Sequence, residues 1–199
     1  MERKEKTTRQ KQALLTKKRI FDAATELIHE VDFDDITVRE ICKRSQVSVG
    51  TFYLYFKTKY DILLELYRVV DKLIGNAMVH DRTDLQTKEK IILIVRLQMQ
   101  FGMKTDIKIT KQLYSSQLFH DKPIFLSEDR DLYKILNQVI IEGQENKEIT
   151  DSIDSRAITK NILRFSRGIT FEWLIRDGTY DLEEVAINEL ERYLATYDA

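Results

Sequence analysis

The chain has 199 residues, 43% of them hydrophobic, with one proline and one cysteine. This length and composition favour a helical globular protein with a sizeable core, and one cysteine excludes an intramolecular disulfide framework. No apolar run approaches the roughly 18 residues that span a bilayer, and the polar start MERKEKTTRQKQ has no apolar core for a signal peptide. We therefore expect a soluble, cytoplasmic protein with no membrane partner.

The net charge of −1 argues, taken alone, against a nucleic-acid-binding protein. The charge is unevenly distributed, however. Residues 1–59 carry 13 Lys and Arg against 9 Asp and Glu, whereas residues 60–199 carry 19 against 24. A basic N-terminal part on an acidic remainder indicates that the N-terminal part faces DNA, and it disfavours wrong orientations during encounter.

Residues 1–15 are polar and basic. They form either a disordered, solvated tail or an arm that adds phosphate or minor-groove contacts. From Thr16 onward, apolar residues recur every three or four positions, which predicts an amphipathic first helix. These apolar residues are Ile20, Ala24, Leu27, Ile28 and Val31.

A helix-turn-helix is predicted next. Thr37 opens a helix because Glu40 follows at capping-box spacing. The turn at residues 45–47 separates this helix from another, which Ser48 caps and whose inner face carries Phe52. Two short helices joined by a tight turn are typical of a DNA-reading motif.

The outer faces of this motif carry residue types suited to DNA. A glycine lets backbone approach backbone, hydroxyls donate to phosphates or base edges, and lysines at a helix start suit a phosphate. Val49 either touches a thymine methyl or completes the apolar stripe with Phe52. The candidate DNA-binding residues are Thr37, Ser48, Val49, Gly50, Thr51, Tyr53, Tyr55, Lys57 and Lys59.

The sequence from Val47 to Lys59, VSVGTFYLYFKTK, followed by Ile62 and Leu63, resembles the signature of the TetR/AcrR family of transcriptional regulators. The resemblance covers residues 16–66. It implies a homodimer that binds an inverted-repeat operator on double-stranded DNA, and a repressor that a small-molecule effector releases. A ligand-independent architectural or nucleoid-associated protein of the same fold, and an activator, remain alternatives.

Three residues depart from the family's pattern. Gln46 stands where the family often has glycine, and Asp32 stands where a glycine often precedes the aromatic residue. We expect both to lie in turns that need a positive φ, which residues other than glycine adopt at some cost. Lys147 also replaces a common glycine in the segment IIEGQENKEI.

The remaining helices are predicted, in chain order, at about residues 59–80, from 87 onward, and at about 107–118, 127–146, 154–176 and 182–197, with loops at 80–86 and around Pro123. The whole is therefore an all-α protein. An N-terminal three-helix helix-turn-helix DNA-binding domain with its basic tail, residues 1–59, is joined to a larger helical ligand-binding and dimerisation domain, residues 60–199.

The helix from Thr87 is apolar on nearly every side, so it must be surrounded by other helices. A polar residue on a central helix needs a partner, and it either faces a cavity or emerges at the surface. Aromatic residues elsewhere in this domain either line the same pocket or are plain core. The candidate ligand-binding residues are Arg96, Gln100, Phe101, Tyr114, Tyr133, Asn161, Phe165 and Trp173.

The family resemblance implies that the last two helices of each subunit form a four-helix dimer interface. Gly168, in the interior of a helix, costs about 0.5 to 1 kcal/mol relative to alanine and often marks the close approach of another helix. The candidate interface residues are Ile162, Gly168, Ile169, Val185, Leu190, Tyr193 and Leu194.

An enzyme is not expected. Glu26 and His29 have the E-x-x-H spacing of a helical di-iron site, but His80 and His120 lack a glutamate three residues earlier, so the second pair is missing. There is no glycine-rich phosphate loop. We therefore expect no catalytic residues, no metal and no cofactor, and we expect Cys42 to be a small buried residue rather than a thiol sensor.

Overall fold

The computed structural model describes residues 8–79, 85–119 and 123–198. Within these ranges the chain is helical and has no strand, which confirms the all-α prediction. The α-helices are α1 Thr8–Glu30, α2 Val38–Ser45, α3 Val49–Tyr55, α4 Tyr60–Val79, α5 Thr87–Lys104, α6 Ile107–Phe119, α7 Asp131–Glu145, α8 Ser155–Ile175 and α9 Leu182–Leu194, with short 3-10 helices at Ile124–Leu126 and Ala195–Tyr197. None of the described helices is long and apolar enough to cross a membrane.

The chain divides into two compact units, which we call the head (residues up to Leu66) and the body (from Tyr67 onward). The division falls inside α4, because Ile62 and Leu63 are fully buried among the head's apolar residues. The sequence-based division stood earlier, after Lys59. Helix α4 thus contributes residues to both units.

The head is built on three helices and the start of α4. Helix α1 begins at Thr8, earlier than the predicted Thr16, so residues 8–15 of the predicted tail are helical. These residues include good helix formers such as Gln12 and Ala13, and a helix continues past its buried face when propensity allows. Residues 1–7 lie outside the described part of the chain. The largest fully buried side chains of the head are Ile20, Phe33, Ile36, Ile41, Phe52, Ile62 and Leu63.

The predicted capping box at Thr37 is confirmed. The Glu40 backbone N–H donates to Thr37 Oγ1 (3.2 Å), and the Thr37 backbone N–H donates to Glu40 Oε2 (2.7 Å). Hydrogen bonds from Thr37 hold the pKa of the Glu40 carboxyl below its ordinary value. Cys42 is buried as expected, and burial raises the pKa of its thiol.

Two of the three departures from the family's glycine pattern occur at left-handed backbone positions. Gln46 ends α2 with φ 54°, as expected, and Lys147, after α7, has φ 58°. Asp32 is not among the described residues with a positive φ, so that expectation is wrong. Its turn uses ordinary backbone angles.

The body packs around α5, as predicted. Helices α6, α7, α8 and α9 all contact α5, and Ile91, Ile94, Val95 and Met99 on α5 are buried. The apolar surface of α5 is therefore covered by helices from every later part of the described chain.

The helices α5 and α7 approach closely at Gly143. A Cβ at Gly143 would lie 2.4 Å from Thr87 Oγ1. A Cβ at Gly168 would meet nothing within 4 Å, so the close approach predicted for Gly168 does not occur within this chain.

Helix α7 begins later than expected, at Asp131 rather than Ser127. The preceding residues form a 3-10 helix and a turn in which the Asp129 backbone N–H donates to Ser127 Oγ (3.3 Å). Arg130 then directs its side chain into the body, toward Asp71. The predicted loop at residues 80–86 lies mostly outside the described residues.

Candidate functional site

Helix α3 presents an outer surface of apolar and hydroxyl side chains. Its inner face is anchored by Phe52, which is fully buried and packs against Phe56. On the outer face, Tyr53 is 54% exposed and Leu54 is 81% exposed. Leu54 is absent from the candidates found in the sequence, although its place between two predicted contact residues was a usable signal. Of the other predicted contact residues, Ser48, Val49, Gly50 and Lys57 are exposed, whereas Thr51 and Tyr55 are partly buried.

The glycine of this helix is not required by packing within the head. A Cβ at Gly50 would have one neighbour within 4 Å, Ser48 Oγ at 3.8 Å. Ser48 Oγ accepts from the Thr51 backbone N–H (3.0 Å) and lies 2.8 Å from Thr51 Oγ1. The cap therefore holds both hydroxyls in place, and the glycine leaves the backbone beside them uncovered. Such a surface suits close contact with a phosphate or a base edge.

Lys59 has a structural role, which corrects its prediction as a phosphate contact. Its Nζ donates to three backbone carbonyls, those of Phe33 (2.8 Å), Asp34 (2.7 Å) and Ile36 (3.0 Å). An ammonium group has three donors, so all are used. Lys59 thereby fixes the connection between α1 and α2, and Lys57 remains the lysine available to a phosphate.

The hydroxyl of Thr37 is likewise used within the head. Thr37 Oγ1 donates to Glu40 Oε2 (2.7 Å) as well as accepting in the capping box. Thr37 is exposed, but its side chain serves the start of α2 first. The sequence showed this cap, and the structure adds that the cap occupies the hydroxyl.

The body contains a cavity of about 70 Å³. Phe125 lines it, with its ring edge-to-face against Tyr67 (centroids 5.2 Å apart) and Tyr114 (4.9 Å). The lining comes from α4, α5, α6, α8 and the segment before α7, and it combines aromatic, hydroxyl and cationic groups. Its aromatic residues are Tyr67, Phe101, Tyr114 and Phe125, its smaller polar residues are Gln98, Thr110, Ser166 and Thr170, and its cations are Arg130 and Arg167.

The two arginines of the cavity differ in how their charges are satisfied. Arg130 forms a two-pronged pair with Asp71, with Nε–Oδ2 at 2.9 Å and Nη2–Oδ1 at 2.7 Å, and the two side chains are only 7% and 6% exposed. No carboxylate pairs with Arg167 in the described part of the chain; its guanidinium lies over the Phe125 ring, 5.1 Å from the centroid. Burial, and then the charge of Arg130, lower the pKa of Arg167 to about 10. Its charge therefore disfavours the folded state below that pH.

Two tyrosine hydroxyls also lie at the cavity. The Tyr67 hydroxyl is buried and has no hydrogen-bond partner among the described residues, whereas the Tyr114 hydroxyl interacts with Thr170. Burial raises the pKa of both phenols, that of Tyr114 to about 12. Both hydroxyls therefore stay protonated and can donate a hydrogen bond.

A second cleft of about 270 Å³ shares Phe125 and Arg167 with the cavity. We call it the outer cleft, because its lining includes exposed residues such as Lys160 and Arg164. Lys160 and Arg164 on α8 add positive charge, and Glu128 pairs with Lys160 (2.7 Å). The predicted ligand residue Tyr133 lines this outer cleft rather than the cavity. A cationic cleft therefore lies beside an aromatic cavity.

Only Phe101 and Tyr114 of the predicted ligand residues line the cavity. Arg96 and Gln100 instead reach Glu183 on α9, with Arg96 Nε 3.2 Å from Glu183 Oε1 and Gln100 Nε2 donating to Glu183 Oε2 (2.9 Å). Both residues are partly buried, and neither lines the cavity. They tie α5 to α9.

The other three predicted ligand residues serve the packing of the last helices. Asn161 Nδ2 donates to the Tyr197 hydroxyl (3.2 Å), and Trp173 Nε1 donates to the Tyr180 carbonyl (2.9 Å). Phe165 stacks on the ring of Tyr193, with centroids 5.7 Å apart. None of the three lines the cavity.

Arg130 and Arg167 were missed by the sequence analysis. Arg167 carried a usable signal, because it stands on α8 four residues after buried Leu163 and three before buried Thr170. A charge inside the buried stripe of a helix indicates a paired or functional residue. Arg130 had no comparable signal, since it precedes a helix.

The burial of α8 and α9 narrows the predicted dimer interface. Ile162, Leu190 and Leu194 are buried in the chain's own core and are corrected to core residues, because they have no surface left to offer a partner. Gly168 and Val185 are exposed, whereas Ile169 and Tyr193 are partly buried. Two residues missed by the sequence analysis, Phe171 and Ile175, are 55% and 66% exposed on α8.

Metal-binding geometry is absent from the described ranges of the chain, where no group of three or more His, Cys, Asp or Glu is placed to hold an ion. Glu26 and His29 lie on α1 in the head. His80 and His120 lie outside the described residues.

Comparison with known proteins agrees with this geometry. Residues 20–66 match the family model of bacterial regulatory proteins, tetR family. The chain is also 30% identical over 175 residues to the fatty acid metabolism regulator protein of Bacillus subtilis strain 168, which covers 86% of the chain and 90% of that relative. The chain belongs to the TetR family, and it is a DNA-binding transcriptional regulator.

Two solved structures share this fold. The transcriptional regulator FadR from Bacillus subtilis in complex with stearoyl-CoA has a TM-score of 0.62 and 24% identity, with 87% of this chain and 95% of that chain covered. FadR from Thermus thermophilus, a repressor in complex with lauroyl-CoA, has a TM-score of 0.62 and 18% identity, with 90% of this chain and 93% of that chain covered. At these identities the likeness establishes the fold.

Proposed function

We propose that the protein is a homodimeric repressor that binds an inverted-repeat operator and leaves it when a fatty acyl-CoA binds the body. The observation that carries this proposal is the aromatic cavity with its cationic outer cleft. The relative from Bacillus subtilis is a fatty acid metabolism regulator, and the two structural neighbours hold stearoyl-CoA and lauroyl-CoA. These relatives support acyl-CoA as the effector class.

The two parts of the site suit the two parts of an acyl-CoA. Lys160, Arg164 and Arg167 at the outer cleft offer charge for phosphates, and the inner cavity offers Phe101 and Met99 to an acyl chain. The cavity, at about 70 Å³, is smaller than the roughly 300 to 1,000 Å³ of typical small-molecule sites. Binding therefore requires lining side chains such as Phe125 to move.

DNA binding is assigned to the exposed face of α3. Val49 and Leu54 offer apolar contacts for thymine methyl groups, and Tyr53 and Lys57 offer donors for phosphates. One such helix reads few base pairs, whereas two related by a twofold axis read an inverted repeat in successive major grooves. If each protomer neutralises about four phosphates, the log-log salt slope is roughly −7.

The dimer interface is assigned to the exposed apolar face of α8 together with Val185 of α9. Phe171 and Ile175 lie on this face, and the open space at Gly168 lets a partner helix approach. Large exposed apolar residues grouped on one face favour an interface between subunits. The partly buried Ile169 and Tyr193 would add to its rim.

Helix α4 is the element proposed to connect effector and DNA. It carries Ile62 and Leu63 in the core of the head, and it carries Tyr67 and Val70 at the cavity. An effector shifts the protein toward the state that it binds more tightly, and one with equal affinity for both states changes nothing. The proposal is that acyl-CoA favours a state in which the two heads no longer fit the operator.

The first test selects bound sequences from random duplex DNA with the full-length protein at about 150 mM salt. We expect an inverted repeat, and a loss of affinity for it of at least roughly tenfold with a long-chain acyl-CoA but not with CoA alone. Enrichment without any effect of acyl-CoA would favour the architectural alternative. Failure to enrich any motif would contradict the operator.

A variant pair tests the interface. Phe171→Glu with Ile175→Glu is expected to give a folded monomer by analytical ultracentrifugation, because charged side chains cannot be buried unpaired at the interface. Leu118→Glu is the matched control, since Leu118 is 81% exposed on α6, outside the proposed interface. A dimer that persists in the double variant would place the interface elsewhere.

A further inference from the structure

We propose that the cavity in the body binds an oxyanion of the effector, a carboxylate or a phosphate, between the guanidinium of Arg167 and the hydroxyl of Tyr67. This inference rests on the proposed function in one respect, the assignment of the cavity as the effector site. It goes further by placing a charged group of the effector at Arg167 and Tyr67, beside the part of the cavity proposed for the acyl chain. It also names the residues that recognise that charge.

The two positive charges at the cavity are matched by only one carboxylate among the described residues. The charge of Arg130 is matched by Asp71 through three hydrogen bonds of 2.7 to 3.0 Å. The charge of Arg167 has no such match within the described ranges, and a second arginine nearby raises its cost. Buried charges in proteins are normally paired, because an unpaired ion away from water is strongly disfavoured. An anion in the cavity completes the missing pair.

The hydroxyl of Tyr67 supplies a second, independent observation. Tyr67 lines the cavity and is only 7% exposed, and its hydroxyl is buried with no hydrogen-bond partner among the described residues. The ring of Tyr67 also lies under the Arg130 guanidinium, 4.8 Å from centroid to carbon, so the hydroxyl belongs to the same cationic cluster. A protonated phenol donates, and an oxyanion accepts from it and from a guanidinium together.

An uncharged group of the effector would leave Arg167 and the Tyr67 hydroxyl without an acceptor. A hydrocarbon chain accepts no hydrogen bond, so a chain packed directly against the guanidinium and the phenol, rather than against Phe101 and Met99, would leave both unpaired and away from water. Arg167 also lines the outer cleft, so its guanidinium belongs to both spaces. The site therefore discriminates for charge as well as shape.

The experiment compares fatty acids with their primary amides, which have the same chain and no charge, for chains of about 8 to 12 carbons at pH 7.5, where the carboxylic acid is ionised. Binding to the full-length protein is measured by isothermal titration calorimetry, with acyl-CoAs of the same chains in parallel. We expect the acid or the acyl-CoA to bind at least roughly tenfold more tightly than the amide. Selective binding of the acid identifies a carboxylate, and selective binding of the acyl-CoA identifies a phosphate.

Three variants test which residues cause the preference for an anion over the uncharged amide. Arg167→Met is expected to reduce it to within about twofold. Arg192→Met on α9 is the matched control, because Arg192 is exposed, pairs with Glu189 (2.9 Å) and lines neither the cavity nor the outer cleft; it keeps the acid-to-amide ratio. Tyr67→Phe removes only the unpartnered hydroxyl and should weaken anion binding several-fold without lowering the melting temperature.

The outcomes separate this inference from the proposed function. Equal binding of acid and amide, with acyl-CoA affinity unchanged in Arg167→Met, overturns the anion site and leaves release of the operator by acyl-CoA intact. Arg167-dependent binding of acids without release by acyl-CoA keeps the anion site and overturns the acyl-CoA effector. A lower melting temperature in both Arg167→Met and Tyr67→Phe would show structural groups and overturn the site, as would failure of every anion to bind.

Discussion

The head and the body place their candidate functional residues in opposite ways. In the head, the proposed DNA contacts occupy one short stretch, residues 48–57, and face outward from the turn and α3. In the body, the cavity is lined by four helices and a connecting segment, from Tyr67 to Thr170, and its cations lie inside. The residues of the surface site are neighbours in the sequence, so a local motif can reveal them. The residues of the internal site come from distant helices, so they meet only through the way those helices pack.

The largest expected effect breaks the buried pair of the body. Asp71→Ala leaves Arg130 buried and unpaired, so we expect the free energy of unfolding to fall by about 3–5 kcal/mol in urea denaturation. Glu30→Ala removes the exposed Glu30–Arg44 pair of the head and should cost far less, because water replaces the partner. The double variant Asp71→Leu with Arg130→Met should recover most of the loss. Equal effects in head and body would refute the contrast.

A middle-sized effect tests whether the lysines of the head contact DNA directly. Lys59→Met loses three bonds to backbone carbonyls and should destabilise the head by about 2 kcal/mol. Lys57→Met should leave stability unchanged, weaken operator binding and reduce the salt slope by about 1. Thermal unfolding and fluorescence anisotropy at several salt concentrations measure the two properties. If Lys59→Met were as stable as the wild type and lost DNA affinity in the same way as Lys57→Met, Lys59 would be a phosphate contact after all.

The smallest expected effect is a gain in stability from glycine at a left-handed position, and it should be equal in the head and the body. Gln46 and Lys147 both hold left-handed backbone angles, at φ 54° and 58°. Replacing either with glycine removes a steric cost and adds chain entropy to the unfolded state, leaving a net gain of about 0.5 to 1 kcal/mol each. Denaturation midpoints of Gln46→Gly and Lys147→Gly measure it. A loss of stability at either position would mean that its side chain makes a compensating contact.

The elements of the head could be predicted because their signals are local. The capping box joins Thr37 to Glu40, three residues away, and the turn at Gln46 shows as a departure from a glycine pattern. The role of Lys59 could not be predicted. Its three acceptors lie more than twenty residues earlier, and nothing local indicates that the chain returns there.

Which residues of the body face the cavity depends on how each helix is rotated about its axis. The sequence determines this rotation only loosely. Phe165 and Arg167 are two residues apart on α8, so their side chains point to nearly opposite sides of the helix. Phe165 packs on Tyr193, and Arg167 faces the cavity. Aromatic character favoured the first as a ligand residue, whereas the position of a charge within a buried stripe would have indicated the second.

The small volume of the cavity also bears on affinity under the proposed function. Phe125 is held between two tyrosine rings, so an effector would enter only when the protein visits a wider arrangement. The apparent dissociation constant would then be the intrinsic one divided by the fraction of molecules in that arrangement, and association would be slowed as well. The packing around one phenylalanine would thus raise the effector concentration at which the operator is released.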